Sequence, residues 1–188
     1  MKYLRTYEQS NVTHLNLNNK NLYELPELPK GLKHLFCTDN KLSELPDLPD
    51  SLELLYCSRN KITELPDLPK SLMRLDCDYN KLNSLPELPN NIETIYCDNN
   101  KITEIPKLPN KIKILSCSIN YLEYLPDLKN LNYLYCQNNH LNELPDLPNN
   151  IEYLYCYGNN LPYNNLVEYR KWYAETYPDR VEGEKYNL

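Results

Sequence analysis

Glycine is scarce, at 3 of 188 residues, and phenylalanine and tryptophan occur once each. No apolar run approaches the ~18 residues that a membrane span needs, which excludes a transmembrane helix. The first ten residues, Met1 to Ser10, hold no apolar signal core, so Sec-type export is not expected. Basic charge is in deficit: 20 Lys plus Arg stand against 26 Asp plus Glu, a net charge of −6 with a pI near 5.2. A binder that tracks phosphates needs a basic surface, so nucleic acid is not an expected partner. What is abundant is equally unusual: 15 prolines, 18 tyrosines and 7 cysteines. Prolines at that frequency accompany disorder unless they recur at regular intervals. Here they do.

Eight copies of Leu-x-x-Leu-x-Cys-x-x-Asn-x-Leu begin at Val12, Leu32, Leu52, Leu72, Ile92, Ile112, Leu131 and Ile151. Each step is twenty residues except Ile112 to Leu131, which is nineteen. The sixth position reads Leu17, then Cys37, Cys57, Cys77, Cys97, Cys117, Cys136 and Cys156. The ninth reads Lys20, then Asn40, Asn60, Asn80, Asn100, Asn120, Asn139 and Asn159. Thirteen prolines fall in the connecting Leu-Pro-x-Leu-Pro segments.

Apolar residues at positions four and six alternate with polar or aromatic ones, the period of a short strand with one buried face. Proline fixes φ and removes a helix donor, so the return path is expected to be extended, polyproline-like backbone. Identical strands then stack in parallel roughly 4.8 Å apart. No single turn buries enough to stand alone, and stability becomes a nearest-neighbour sum. Asparagine both donates and accepts, so a buried ladder of it satisfies the backbone of the turn. The cysteines occupy an inward register, their number is odd, and no Cx₂C spacing exists. They read as small buried hydrophobes rather than disulfides or metal ligands, which points to a reducing, cytoplasmic compartment.

Over residues 12–161 the pattern resembles leucine-rich-repeat proteins. The 20-residue length and Leu-Pro-x-Leu-Pro linker are similar to the repeat domain of YopM- and IpaH-type bacterial effectors and to leucine-rich-repeat proteins of large DNA viruses. The resemblance implies a leucine-rich-repeat solenoid: a right-handed superhelix of about eight repeats, with short parallel β-strands on the concave face and an extended, polyproline convex side. It also implies recognition of a host protein. Some of these effectors carry a ubiquitin-ligase domain after the repeats; with 27 residues after Leu161, none is expected here. Asn164 or Asn165 is a fair N-cap for a C-terminal capping helix within 162–178, with Leu166, Tyr169, Tyr173 and Thr176 at helical spacing and Trp172 packed in the cap. Residues 1–11 read as an N-terminal segment or small cap, and 179–188 as a charged tail.

Positions three, five and seven of each copy face the open side of the sheet and vary from copy to copy. That variation marks the surface free for function. The expected partner-binding residues are Phe36, Tyr56, Arg74, Asp76, Tyr96, Tyr133, Tyr135, Tyr153, Tyr155 and Tyr157. Tyrosine offers large amphipathic area at small entropic cost; it also suits strands for structural reasons alone. Asp76, Asp78 and Asp98 read as a solvated acidic patch complementary to a basic partner. The three histidines, His14, His34 and His140, have no thiol within prospect, so no enzyme and no cofactor or metal is expected. The expected function is a non-catalytic protein-interaction module; a glycan or small-ligand binder using the tyrosines is the alternative. Neither partner identity nor oligomeric state is readable from the sequence.

Overall fold

The computed structural model describes residues 12–178; the expected N-terminal cap and charged tail lie outside them. Eight three-residue strands follow one another: β1 His14–Asn16, β2 His34–Phe36, β3 Leu54–Tyr56, β4 Arg74–Asp76, β5 Thr94–Tyr96, β6 Ile114–Ser116, β7 Tyr133–Tyr135 and β8 Tyr153–Tyr155. They form one sheet in sequence order, every pair parallel. The Leu or Ile at position four pairs with its counterpart throughout, from Leu15↔Leu35 through Leu75↔Ile95 to Leu134↔Leu154. In every strand the middle residue is buried, as a period-two face requires.

Behind the sheet lies a continuous core of Leu and Ile, with all seven cysteines buried and unpaired. Burial pushes the Cys37 and Cys156 thiols up to about 12 and the others upward as well, so none is primed for nucleophilic chemistry. The proline-rich return segments carry neither helix nor strand.

Asparagine nine ties consecutive turns together. Asn100 donates from Nδ2 to the carbonyls of Cys77 (3.1 Å), Cys97 (3.1 Å) and Asp98 (3.2 Å), while Oδ1 accepts the Leu82 N–H at 3.0 Å. The same pattern runs from Asn40 to Asn159. At the first copy, where Lys20 replaces asparagine, Asn40 accepts from both the Lys20 and Leu22 N–H groups.

The C-terminal end is closed. Asn164 O accepts the Cys156 N–H at 3.0 Å, and Tyr155 bridges Asn165 in antiparallel fashion. Helix α1, Leu166–Thr176, follows with Asn165 as N-cap: its side chain accepts the Glu168 N–H, and Glu168 returns bonds to both asparagines. Tyr163 and Tyr169 are buried in an aromatic cluster with Trp172 and Tyr173. Thr176, expected on the apolar face, is exposed instead; Trp172 takes that role.

Position eight is left-handed in every copy, with φ between 53° and 69°, at Asn19, Asp39, Arg59, Tyr79, Asn99, Ile119, Asn138 and Gly158. The chain turns sharply out of each strand there, and only glycine, asparagine and aspartate adopt that shape at little strain. Ile119 is the extreme case, being β-branched and 46% exposed.

Two outcomes test these points by equilibrium unfolding. Asn100→Ala, which strands buried carbonyls and an N–H, is expected to destabilise by about 2–4 kcal/mol. Ile119→Asn, which relieves the left-handed strain without uncovering core, is expected to stabilise by about 1 kcal/mol.

Candidate functional site

The strand residues at positions three and five present their side chains away from the core. On the N-terminal half, Phe36 stacks on Tyr56 with ring centroids 5.1 Å apart and 16° between planes. The Arg74 guanidinium lies between Tyr56 and Tyr96, at 5.3 Å and 4.9 Å from their centroids. On the C-terminal half, Tyr133 stacks on Tyr153 at 5.4 Å and Tyr135 on Tyr155 at 5.5 Å. Tyr153, Tyr155 and Tyr157 are the most exposed of this group. The ten residues expected from the sequence thus fall into two stacked runs, Phe36–Tyr56–Arg74–Tyr96 and the tyrosine quartet with Tyr157 beside it, and Asp76 pairs in register between Tyr56 and Tyr96, near the Arg74 charge.

Between the runs stands β6, whose contribution is small. Ser116 and Ser118 are buried by larger neighbours on either side. Sequence reading passed over these serines because short polar residues in a variable row carry no evident message.

The acidic centre differs from the expected solvated patch. Asp78 Oδ1 accepts the Asp98 N–H and Asp98 Oδ1 accepts the Ser118 N–H, both at 2.6 Å. The Ser116 hydroxyl lies 2.8 Å and 2.9 Å from the two Asp98 oxygens. Asp76, Asp78 and Asp98 are half-buried, and burial raises all three from the ordinary aspartate value. Asp78 is pushed up to about 7, by burial first and then by the charges of Asp98 and Asp76. The carboxylates face inward because the strand ends at position five, leaving the next repeat's position-seven N–H to be met by a side chain. Among the described residues, no group of three His, Cys, Asp or Glu is placed to hold a metal ion.

At the N-terminal margin, His14 and His34 meet edge to face at 4.1 Å, a pairing that their shared strand position foretells. On the opposite side of the solenoid a furrow near 810 Å³ runs between two return segments, lined by Asp47, Asp50, Glu64, Asp67 and Lys70. It is an open gap between consecutive turns, without convergent chemistry.

Solved structures share this architecture. YopM from Yersinia pestis, a leucine-rich effector, superposes with a TM-score of 0.76 and 40% identity, over 80% of this chain and 44% of that one. The chain is a leucine-rich-repeat solenoid. The leucine-rich-repeat domain of a Shigella effector gives a TM-score of 0.68 and 34% identity, over 72% of this chain and 62% of that one. The functional domain of InlJ from Listeria monocytogenes, which includes a cysteine ladder, gives 0.74 and 31%, over 81% and 36%. This solenoid therefore spans less than two thirds of the length of each of them. No family model and no curated protein matches the sequence.

The raised aspartates predict a pH dependence with a definite sign. Unfolded, Asp78 titrates at ~3.9; folded, it holds its proton up to about 7. The native chain therefore binds more protons than the unfolded chain between about pH 4 and 7, and stability falls as pH rises through that window. Asp78→Asn keeps the acceptor for the Asp98 N–H, as Asn18 does for Thr38 at 2.7 Å. The variant is expected to match wild type near pH 4 and exceed it by roughly 1 kcal/mol at pH 8, the partial exposure of the group having been discounted. Denaturant titrations at the two pH values measure the difference.

Proposed function

We propose that this chain is a non-catalytic protein-binding module that takes a partner protein of a host cell on its concave face, in a reducing, cytoplasmic setting. The observation that carries the reading is the contrast between the two sides of each strand. The inward residue is Leu or Ile in all eight copies, while the outward ones range over His, Asn, Phe, Leu, Tyr, Arg, Asp, Ser, Thr and Ile. A rigid rack with a variable face is what a binding surface requires, and stacked tyrosines present apolar area already ordered for contact. Similarity to effector repeat domains supports a protein partner, since folds of that kind are generally binding scaffolds. The buried thiols, each held protonated by its surroundings, favour binding over nucleophilic catalysis. They also favour a reducing compartment. Among the described residues, no helix is long and apolar enough to cross a membrane.

The test is affinity capture from host-cell lysate, comparing wild type with Tyr135→Ala/Tyr155→Ala. Both tyrosines are solvent-facing, so the double variant is expected to stay folded and to lose capture of a specific protein by at least about tenfold. Retention of every captured protein by that variant would count against the concave face. Glycan-array binding that disappears in it would favour the alternative ligand class.

A further inference from the structure

Position three is histidine in the first two copies and in no other, so two of the chain's three histidines stand side by side on β1 and β2. The sheet pairs His14 with His34 directly, and their ring centroids are 4.1 Å apart with 79° between planes. Both lie on the outward face, His14 exposed and His34 partly so. Residues twenty apart meet here only through the register of the sheet, and no short spacing motif announces the pair.

The four ring nitrogens are not equivalent. His14 Nδ1 lies 2.8 Å from the Thr13 hydroxyl. His34 Nε2 faces one Glu53 oxygen at 3.8 Å, and Lys33 Nζ holds the other oxygen at 2.7 Å. Among the described residues, His14 Nε2 and His34 Nδ1 have no hydrogen-bond partner. An imidazole tied through one nitrogen to a hydroxyl or carboxylate is fixed in orientation and made more basic at the other, which is how ligating histidines are held.

Distance and charge suit a shared cation. Two imidazoles on one zinc ion, with Zn–N at ~2.0–2.1 Å and an angle of about 90–110°, have ring centres about 4.5–5 Å apart. Side-chain rotation on an open face, parting the rings by about 0.5–1 Å, reaches that spacing from the observed 4.1 Å. The Lys33 hydrogen bond holds the Glu53 carboxyl below its ordinary value, so a negative charge persists beside the pair. The thiols, buried and protonated, offer no competing site. Imidazole donors select borderline divalent cations over Mg²⁺ and Ca²⁺, which prefer oxygen.

We infer that His14 and His34 form a two-imidazole chelate for a divalent transition cation of the zinc class, bound through His14 Nε2 and His34 Nδ1, with water completing the coordination. Two protein ligands, where a structural zinc takes four, make this an exchangeable site on a stack that forms without metal. The assignment does not depend on the protein-binding reading, although the pair adjoins Phe36 at the N-terminal end of the concave face.

Zinc chloride titrated into the untagged full chain at about pH 7.5, where neutral imidazole prevails, tests the site by calorimetry and by NMR of the histidine rings. Saturable binding of one ion per chain is expected, with the ring resonances of His14 and His34 shifting together and those of His140 unmoved. Magnesium chloride at the same ionic strength is expected to leave all three rings unmoved. His14→Gln and His34→Gln both sit on the outward face and are expected to stay folded. Each is expected to weaken zinc binding at least about tenfold, because a single imidazole loses the chelate. Unchanged affinity in either variant, shifts confined to one ring or centred on His140, or an equal response to magnesium overturns the assignment. Should a variant fail to fold, the ring resonances of wild type under zinc and magnesium decide it.

Discussion

The structure depends on hydrogen bonds between residues twenty apart being in register at every turn. A three-residue strand with one buried side chain has no stability of its own, and a slip by one residue would turn that side chain outward. Asparagine nine holds the register where the strand has already ended, because one amide joins the Cys carbonyls of two turns and an N–H of the earlier turn. The single nineteen-residue step shows where the fold tolerates change. The missing residue falls in the return segment around Leu125–Leu131, and β6 and β7 still pair Leu115 with Leu134. Extended backbone outside the ladder absorbs a deletion that a strand would not.

That constraint divides the side chains into two populations. Those at positions four, six and eleven are held to a narrow range of volume, since each packs against copies of itself above and below. Cysteine meets that limit as a compact apolar group, and its burial keeps it chemically quiet. Side chains at positions three and five meet no such limit, and there the chain places paired histidines, stacked aromatics and a sandwiched arginine.

The period, the strands, the cysteine core and the asparagine ladder were legible in the sequence because eightfold repetition makes a buried register visible by its invariance. An N-cap at Asn164 or Asn165 is legible from ordinary helix-start chemistry, and Asn165 takes it, whereas helical spacing alone puts Thr176 on an apolar face whose area Trp172 supplies. Position eight was not legible. Arg59, Tyr79 and Ile119 are not turn formers, so composition masks a left-handed turn that the asparagines at 19, 99 and 138 hint at only in retrospect. Nor was the state of the aspartates. A lone acid in a variable row reads as solvated, and only the geometry shows its oxygen meeting an N–H twenty residues on.

Position seven then separates what the fold requires from what it does not. The backbone there needs an acceptor, and Asn18 meets that need for Thr38 without charge. Asp78 and Asp98 meet the same need with carboxylates whose mutual repulsion and burial both oppose ionisation. Asparagine would serve the stack equally well at these two sites, so the negative charge is surplus to folding. It is concentrated next to Asp76 and the Arg74 guanidinium that two tyrosine rings grip, beside two buried serines. A destabilising choice repeated on adjacent strands is not accounted for by what holds the chain together, and it agrees with the proposed role of the concave face in binding.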